Sequence, residues 1–374
     1  MFFRDVIGQE AVKKRLMQSV NEARISHAQL LSGPEGSGNL ALALAYAQYV
    51  SCTGRQGYDS CGVCPSCKKY AKLVHPDLHF VFPVVKTPKY KDPVSDNFLE
   101  EWRKMIFTNP YFNLNDWFDF IGVENAQGMI YANESNEIIR KLNLKSFESE
   151  YKIMIIWMPE KMNAACANKL LKMIEEPPTK TLFLLVAEKE EEIISTIRSR
   201  CQLVKIPGIL PGEMAGALAQ VPGAREKNIA NLVHLSRGNY RKALKLAASA
   251  TNNHDHLNRF KELMRLSYGR KFPGLFKWVD DTSGIGREKQ KSFLQYALGQ
   301  VRENFVYNLK QPAIVFLDEE EASFSSRFSP FINERNVVSL AGELEKASVH
   351  IAMNGNPRII FTDMVLKIVK LIRK

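Results

Sequence analysis

Two stretches of the chain, Tyr151–Trp157 (YKIMIIW) and Thr181–Ala187 (TLFLLVA), are almost wholly apolar at successive positions, with no helical period. Runs of that length suit strands buried on both faces of a parallel sheet. Ala28–Leu31 and Leu78–Val84 predict two further strands. Between these lie helical stretches: the alanine-rich Leu40–Tyr49, Ala164–Glu176, which stops at Pro177-Pro178, and Lys189–Thr196. Proline ends a helix because it lacks the N–H and crowds the preceding turn. Strands alternating with helices predict a doubly wound α/β domain that closes near Pro207, over residues 1–207.

Residues 85–130 break the rhythm. Pro93, Pro110 and the aromatics Phe98, Trp102, Phe107, Tyr111, Phe112, Trp117, Phe118 and Phe120 mark an inserted segment. With Lys86, Lys89, Lys91, Arg103 and Lys104 nearby, these rings would stack on single-stranded bases. The alternative, a small helical subdomain using its aromatics for its own core, is the preferred reading. Beyond Pro207 the pattern turns helical. Leu232–Ala248 and Leu257–Tyr268 fit a small helical domain over 208–270. Apolar residues at helical spacing (Phe293, Ala297, Val301, Phe305, then Val337, Leu340, Leu344, Ala347, Ile351, then Met364–Ile372) predict a third, all-α domain over 271–374.

The length, 374 residues, agrees with two or three domains. A chain 45% hydrophobic and 24% charged belongs to the soluble globular class. No apolar run is long enough to span a bilayer, and Met1-Phe2-Phe3-Arg4-Asp5 reads as a domain start, so the expected compartment is the cytoplasm. The net charge of +11 suits a polyanionic partner, and equally a solvated surface.

The candidate chemistry begins at Gly33-Pro34-Glu35-Gly36-Ser37-Gly38-Asn39-Leu40, which keeps the glycine spacing of the phosphate-binding pattern G-x-x-x-x-G-K-[ST]. Asn39 stands where the lysine belongs and Leu40 where the Mg²⁺-binding hydroxyl belongs. A neutral amide cannot neutralise a β- or γ-phosphate, and leucine cannot ligate a metal. The acidic pair that ends a hydrophobic strand in a working ATPase is missing too: Ile153-Met154-Ile155-Ile156 runs into Trp157-Met158-Pro159, and Glu160 comes too late to substitute. Three losses together predict that ATP is neither hydrolysed nor tightly bound.

Four of six cysteines fall within sixteen residues: Cys52, Cys61, Cys64 and Cys67. Two interlocking C-x-x-C steps plus a fourth thiol suit one tetrahedral, structural Zn²⁺. A disulfide is disfavoured in a reducing cytosol, and a redox pair would leave two cysteines unexplained. Cys166 and Cys201 sit alone in apolar surroundings, as buried small hydrophobes do. Ser199-Arg200-Cys201 lies at the domain edge, where Arg200 could reach the γ-phosphate of a neighbouring subunit; alone, it would read as a surface arginine.

Taken together the chain resembles the bacterial clamp-loader family of AAA+ proteins, the P-loop-type subunits that accompany the replicative DNA polymerase III. The resemblance rests on Val6-Ile7-Gly8-Gln9 as the box beside the nucleotide pocket and on Arg24-Ile25-Ser26-His27-Ala28. It continues through the four-cysteine module followed by His75-Pro76-Asp77, and through Asn168-Lys169-Leu170-Leu171-Lys172 with Glu175-Glu176-Pro177-Pro178. Ser199-Arg200-Cys201 matches the trans-acting arginine motif, and Gly238-Asn239-Tyr240-Arg241-Lys242-Ala243-Leu244 the helix carrying a sensor arginine, which makes Arg241 that residue. Coverage fades in the C-terminal third, where Asn354-Gly355-Asn356-Pro357 is only faintly similar to the collar domain. The resemblance implies a helical lid domain (208–270), an all-α collar (271–374), and a non-hydrolysing subunit of the polymerase holoenzyme, whose polymerase activity lies elsewhere. It further implies partner clamp-loader subunits (ATPase motors and a delta-like subunit), a sliding clamp, and primed DNA met through the assembled complex. Two rivals stay open: an active loader ATPase with unconventional ligands, and a stand-alone zinc-containing DNA-binding protein.

Overall fold

A computed structural model describes residues 1–373 other than 56, 124–127, 222–225, 249, 311–314, 316 and 318. Of the positions left out, 56 falls within the cysteine module, 124–127 within the aromatic insert, and the others within the second and third expected domains. The chain divides into two compact units, Met1–Val221 with Leu235–Leu244, and Pro222–His234 with Lys245–Lys374.

The first unit is built on a five-stranded, wholly parallel sheet in the order β2-β3-β4-β1-β5. Its strands are β1 (Ala28–Ser32), β2 (Leu78–Val81), β3 (Lys152–Trp157), β4 (Thr181–Ala187) and β5 (Gln202–Lys205). β1, β3 and β4 are buried at every position, as continuous apolar runs require. β5 was not expected: it is an edge strand with three of four residues exposed, so no apolar run marks it. The helices are α1 (Glu10–Asn21), α2 (Asn39–Ser51), α3 (Pro65–Tyr70), α4 (Leu99–Thr108), α5 (Leu114–Phe120), α6 (Glu134–Asn143), α7 (Ala164–Glu175), α8 (Ser195–Arg198) and α9 (Pro211–Ala219). The helix expected over 189–196 is instead a 3-10 turn at Glu190–Glu192 followed by the single turn of α8. Three consecutive glutamates cannot supply an apolar face there.

The His75-Pro76-Asp77 motif does structural work. Asp77 is buried and its carboxylate accepts the backbone N–H groups of Phe147, Glu148 and Ser149 at 2.7–2.8 Å. It thereby fixes the loop that leads into β3.

Helices α10 (Glu226–Ser236) and α11 (Tyr240–Ala248) replace the single helical stretch read over 232–248, because Arg237 and Gly238 both adopt positive φ between them. The first turn of α11 belongs to the first unit, and the second unit holds α12 (Ala250–Tyr268), α13 (Phe272–Ser283), α14 (Arg287–Asn308), α15 (Glu319–Phe328), α16 (Val337–Ala352) and α17 (Pro357–Leu371). The helix-spaced residues Phe293, Ala297, Val301, Leu340, Leu344, Ala347 and Ile351 all enter its core, with Phe361, Met364 and Ile368. Asn356 caps α17 by accepting the N–H groups of Arg358 and Ile359. No helix among the described residues is long and apolar enough to cross a membrane.

The aromatic insert does not close on a separate core of its own. Trp102 of α4 is fully buried and stacks on Phe82 just past β2, at 4.1 Å between centroids, and meets Trp117, Phe112 and Trp157 edge-on or tilted at 5.2–5.3 Å. Its rings thus share one cluster with the ends of β2 and β3. Of the rings named from sequence, Phe98, Tyr111, Phe112, Trp117 and Phe118 are also buried, while Phe107 and Phe120 are exposed. That burial leaves six of the eight aromatics no face for stacking on bases. Trp117 donates its indole N–H to the Pro83 carbonyl at 3.0 Å, whereas the buried Trp102 indole N–H has no acceptor among the described residues. Trp102→Ala should therefore cost about 3–5 kcal/mol, read in denaturant by circular dichroism. Trp102→Phe should cost far less, because no hydrogen bond is lost.

Candidate functional site

Ligands of open parallel α/β sheets sit beyond the carboxyl ends of the strands, where strand order reverses. Here the reversal lies between β4 and β1, and three segments converge on it: the glycine loop after β1, Trp157-Met158 after β3, and Glu188 after β4. The glycine loop adopts the turn its spacing promised. Gly36 and Gly38 have φ of +72° and +92°, and Gly38 leads into the first turn of α2. Side chains at either position would also collide, at Gly36 with Asn239 and at Gly38 with Tyr111.

The two altered positions close the loop on itself. Asn39 is buried, and its amide donates to the carbonyls of Gly33 at 2.7 Å and Ala187 at 3.1 Å. Its own carbonyl accepts the hydroxyl of the fully buried Ser37 at 2.5 Å. Gln9, from the N-terminal box, donates to the Ser37 carbonyl at 3.2 Å and the Pro207 carbonyl at 2.6 Å. Leu40 is buried with the rest of α2. The remaining cavity, lined by Gly36, Asn39, Leu40, Phe112, Trp157 and Glu188 among others, has about 20 Å³. That is room for about one water, against the roughly 300 Å³ at the lower end of small-molecule sites. A cleft of about 610 Å³ shares Pro110 and Tyr111 with it and opens past Ile7, Tyr70 and Gln220.

Where the acidic pair was absent from the sequence, Trp157 and Met158 are buried at the end of β3, and Met158 has a left-handed backbone (φ +56°). Glu160 points to the end of β4, where one carboxylate oxygen accepts the N–H groups of Glu188 at 2.9 Å and Lys189 at 3.3 Å. Burial raises its pKa despite those bonds. Glu188 is pushed up to about 7, first by burial and then by the charges of Glu35 and Glu160.

Arg241, at the start of α11, is held by two carboxylates. Asp116 of α5 takes it bidentately, through Nε and, at 2.8 Å, through Nη2, and Glu35 of the glycine loop accepts Nη1 at 3.0 Å. Burial opposes the charge, but Asp116 and Glu35 outweigh it and raise the guanidinium above its ordinary pKa. Glu35 is in turn held below its usual range: burial raises it, and Asn113, Asn239 and Arg241 more than offset that. Tyr111, Asn113, Asp116, Glu35 and Glu188 were not among the residues singled out for this site. Only the Asn113–Asp116 spacing, which also forms a capping box for α5, carried a local signal.

Arg200 lies apart from this network. It follows α8, is exposed, and bonds to Glu175 at the end of α7 and to the Thr196 carbonyl at 2.8 Å. Ser199 donates to that same carbonyl, and Cys201 is half-buried, its thiol pushed up to about 11 by burial. Cys166 is buried in the core under the sheet.

The Sγ atoms of Cys52, Cys61, Cys64 and Cys67 all lie within 4.8 Å of one another, and Cys52 and Cys61 are 3.6 Å apart. A tetrahedron with metal–sulfur bonds near 2.3 Å has edges of about 3.8 Å, so the four donors fit a metal ion. Backbone N–H groups of Cys61, Cys64 and Cys67 point at the sulfurs of Cys52, Cys61 and Cys64 at 3.3–3.4 Å, which suits thiolates. Asp59, inside the module, accepts the N–H groups of Phe3 and Arg4 at 3.1 Å and so ties it to the N-terminal segment.

A family model described as DNA polymerase III, delta subunit, matches residues 8–209, more than half of the chain. The chain is 28% identical over 238 residues to a Bacillus subtilis protein named DNA polymerase III subunit delta', covering 61% of this chain and 59% of that protein. It is 26% identical to the Escherichia coli subunit delta', over 51% of this chain and 45% of that one. The Bacillus subtilis subunit tau is 25% identical over 61% of this chain and 33% of its own. The matches thus span less than two thirds of these relatives' lengths. A solved gamma-subunit-related protein from Thermotoga maritima aligns over 96% of this chain and 99% of its own, at TM-score 0.44 and 14% identity, a likeness too distant to carry weight.

Ionising Glu188 should destabilise the fold. Its folded-state pKa near 7 lies above the ordinary carboxyl value of 4.5, so stability falls as pH rises from about 4.5 through 7. Glu188→Gln should accordingly gain on the order of 1–3 kcal/mol at pH 8 and almost nothing near pH 4.5, in denaturation at the two pH values.

Proposed function

The chain belongs to the DNA polymerase III delta-subunit family, and from that premise we propose that it is a non-hydrolysing, delta-prime-like subunit of an AAA+ clamp loader. One contrast carries the reading: the chain's own phosphate loop is closed by Asn39 and Ser37, while Arg200 stands exposed and outside that loop. The subunit would work in the cytoplasm beside ATPase motor subunits and a delta-like subunit, which together open a sliding clamp and place it on primed DNA. Residues 208–270 would serve as lid and 271–374 as collar. Polymerase activity would lie in another subunit.

Arg200 would complete the ATP site of the adjacent motor. Its present partner Glu175 is a solvent-exposed ion pair, and such pairs contribute about 0–1 kcal/mol, so releasing the guanidinium costs little. A planar fork suits the spread charge of the transferring phosphoryl group, and arginine fingers in trans typically contribute about 10³–10⁵ in rate. In a reconstituted loader, Arg200→Ala should lower DNA-dependent ATP turnover by about 100-fold or more, Arg200→Lys should not restore it, and Arg198→Ala should leave it intact. Unchanged turnover and clamp loading with Arg200→Ala would refute the assignment.

The cysteine module would hold one structural Zn²⁺, with all four positions taken by sulfur and none open for catalysis. Because Asp59 links the module to Phe3 and Arg4, stripping the metal should loosen the N-terminal segment as well. The expected readout is one zinc equivalent per chain, lost with Cys64→Ser, and faster amide exchange over residues 2–6. Full retention of zinc in that variant would contradict the ligand set.

A further inference from the structure

The stretch from Pro110 to Asp116 meets the phosphate site at several points. The Tyr111 ring covers Gly38, so closely that a Cβ there would stand 2.9 Å from a ring carbon. Its hydroxyl accepts the N–H of Ile7, in the N-terminal box, at 2.9 Å, and its ring meets Tyr240 edge-on at 5.0 Å. Two residues on, Asn113 donates to Glu35 of the glycine loop at 3.1 Å. Asp116 then takes the Arg241 guanidinium in a two-bond fork. Read along the chain, an aromatic ring with a polar atom facing a backbone amide is followed by a spacer and then by an anion on an arginine. That is the order of base, linker and phosphate in a nucleotide.

We propose that residues 111–116 are a built-in nucleotide mimic, which holds the glycine loop, the N-terminal box and the first turn of α11 together with no small molecule bound. A tethered ligand is always present at high effective concentration and loses little translational freedom on docking. Bidentate arginine–carboxylate pairs are among the stronger charge-assisted contacts, and removing one partner of a buried pair leaves the other uncompensated. A domain locked in this way keeps its shape through every round of ATP binding and hydrolysis in a neighbour. The inference rests on geometry within the first unit and is independent of the trans role given to Arg200.

The test is hydrogen exchange by mass spectrometry on the full-length chain, with Asp116→Asn, Arg241→Gln and the double variant. Each single change should speed exchange over residues 33–40 and 238–244 by about tenfold or more, and the double variant should be no faster than the worse single. Wild-type rates in those peptides should not move in millimolar ADP. Peptides of the cysteine module and of the second unit, exchanging at wild-type rates, report that each variant is folded. Should Asp116→Asn unfold the unit, Tyr111→Phe keeps the ring and deletes only the acceptor for Ile7; faster exchange confined to the peptide containing Ile7 is then expected. Wild-type exchange in both singles, additive effects in the double, no change with Tyr111→Phe, or protection of the wild-type loop by ADP would each overturn the proposal.

Discussion

An arginine, two carboxylates and a buried asparagine set the character of this molecule. The glycine loop keeps the left-handed turns at Gly36 and Gly38, and Arg241 brings a full positive charge to Glu35 within it. Such groups are costly to leave unsatisfied once buried. Asp116 and Glu35 neutralise the charge, and Asn39 cross-links the loop to β4 with neutral hydrogen bonds. Beside Asn39, Tyr111, Phe112 and Trp157 wall in a remaining cavity of only about 20 Å³.

Closing the site from within changes what the fold can be used for. A parallel sheet with a phosphate loop is ordinarily a machine whose shape depends on its ligand. Here residues 111–116 lie against the glycine loop and Arg241, and the aromatic cluster around Trp102 fastens that segment to the ends of β2 and β3. On the proposed function, the chain would be a stator whose fixed surface carries Arg200 to a neighbour. The carboxylates Glu160 and Glu188 fit the same picture: one braces the end of β4, and the other is kept near its titration point by burial and like charges.

Much of this was legible in the residues themselves. The buried strands announced themselves as unbroken apolar runs, the glycine spacing located the loop, and the cysteine spacing located a metal-competent cluster. Asn39, Leu40 and Trp157 each stand where the phosphate-loop pattern requires a specific functional group, and the structure finds all three buried. β5 was invisible because Gln202 and Lys205 belong to an edge strand that faces solvent. The role of the insert was invisible for a different reason. Asp116 and Arg241 are 125 residues apart, and nothing local to either says that one will neutralise the other. Asp77 is a similar case, since three backbone amides about seventy residues away explain it and no side-chain pattern does.

Whether the glycine loop is closed to nucleotide is decided by equilibrium dialysis of labelled ATP with Mg²⁺ against the purified chain. No saturable binding up to millimolar nucleotide, and no phosphate released, is the expected outcome. Stoichiometric micromolar binding accompanied by steady turnover, in protein freed of contaminating ATPases, would contradict it.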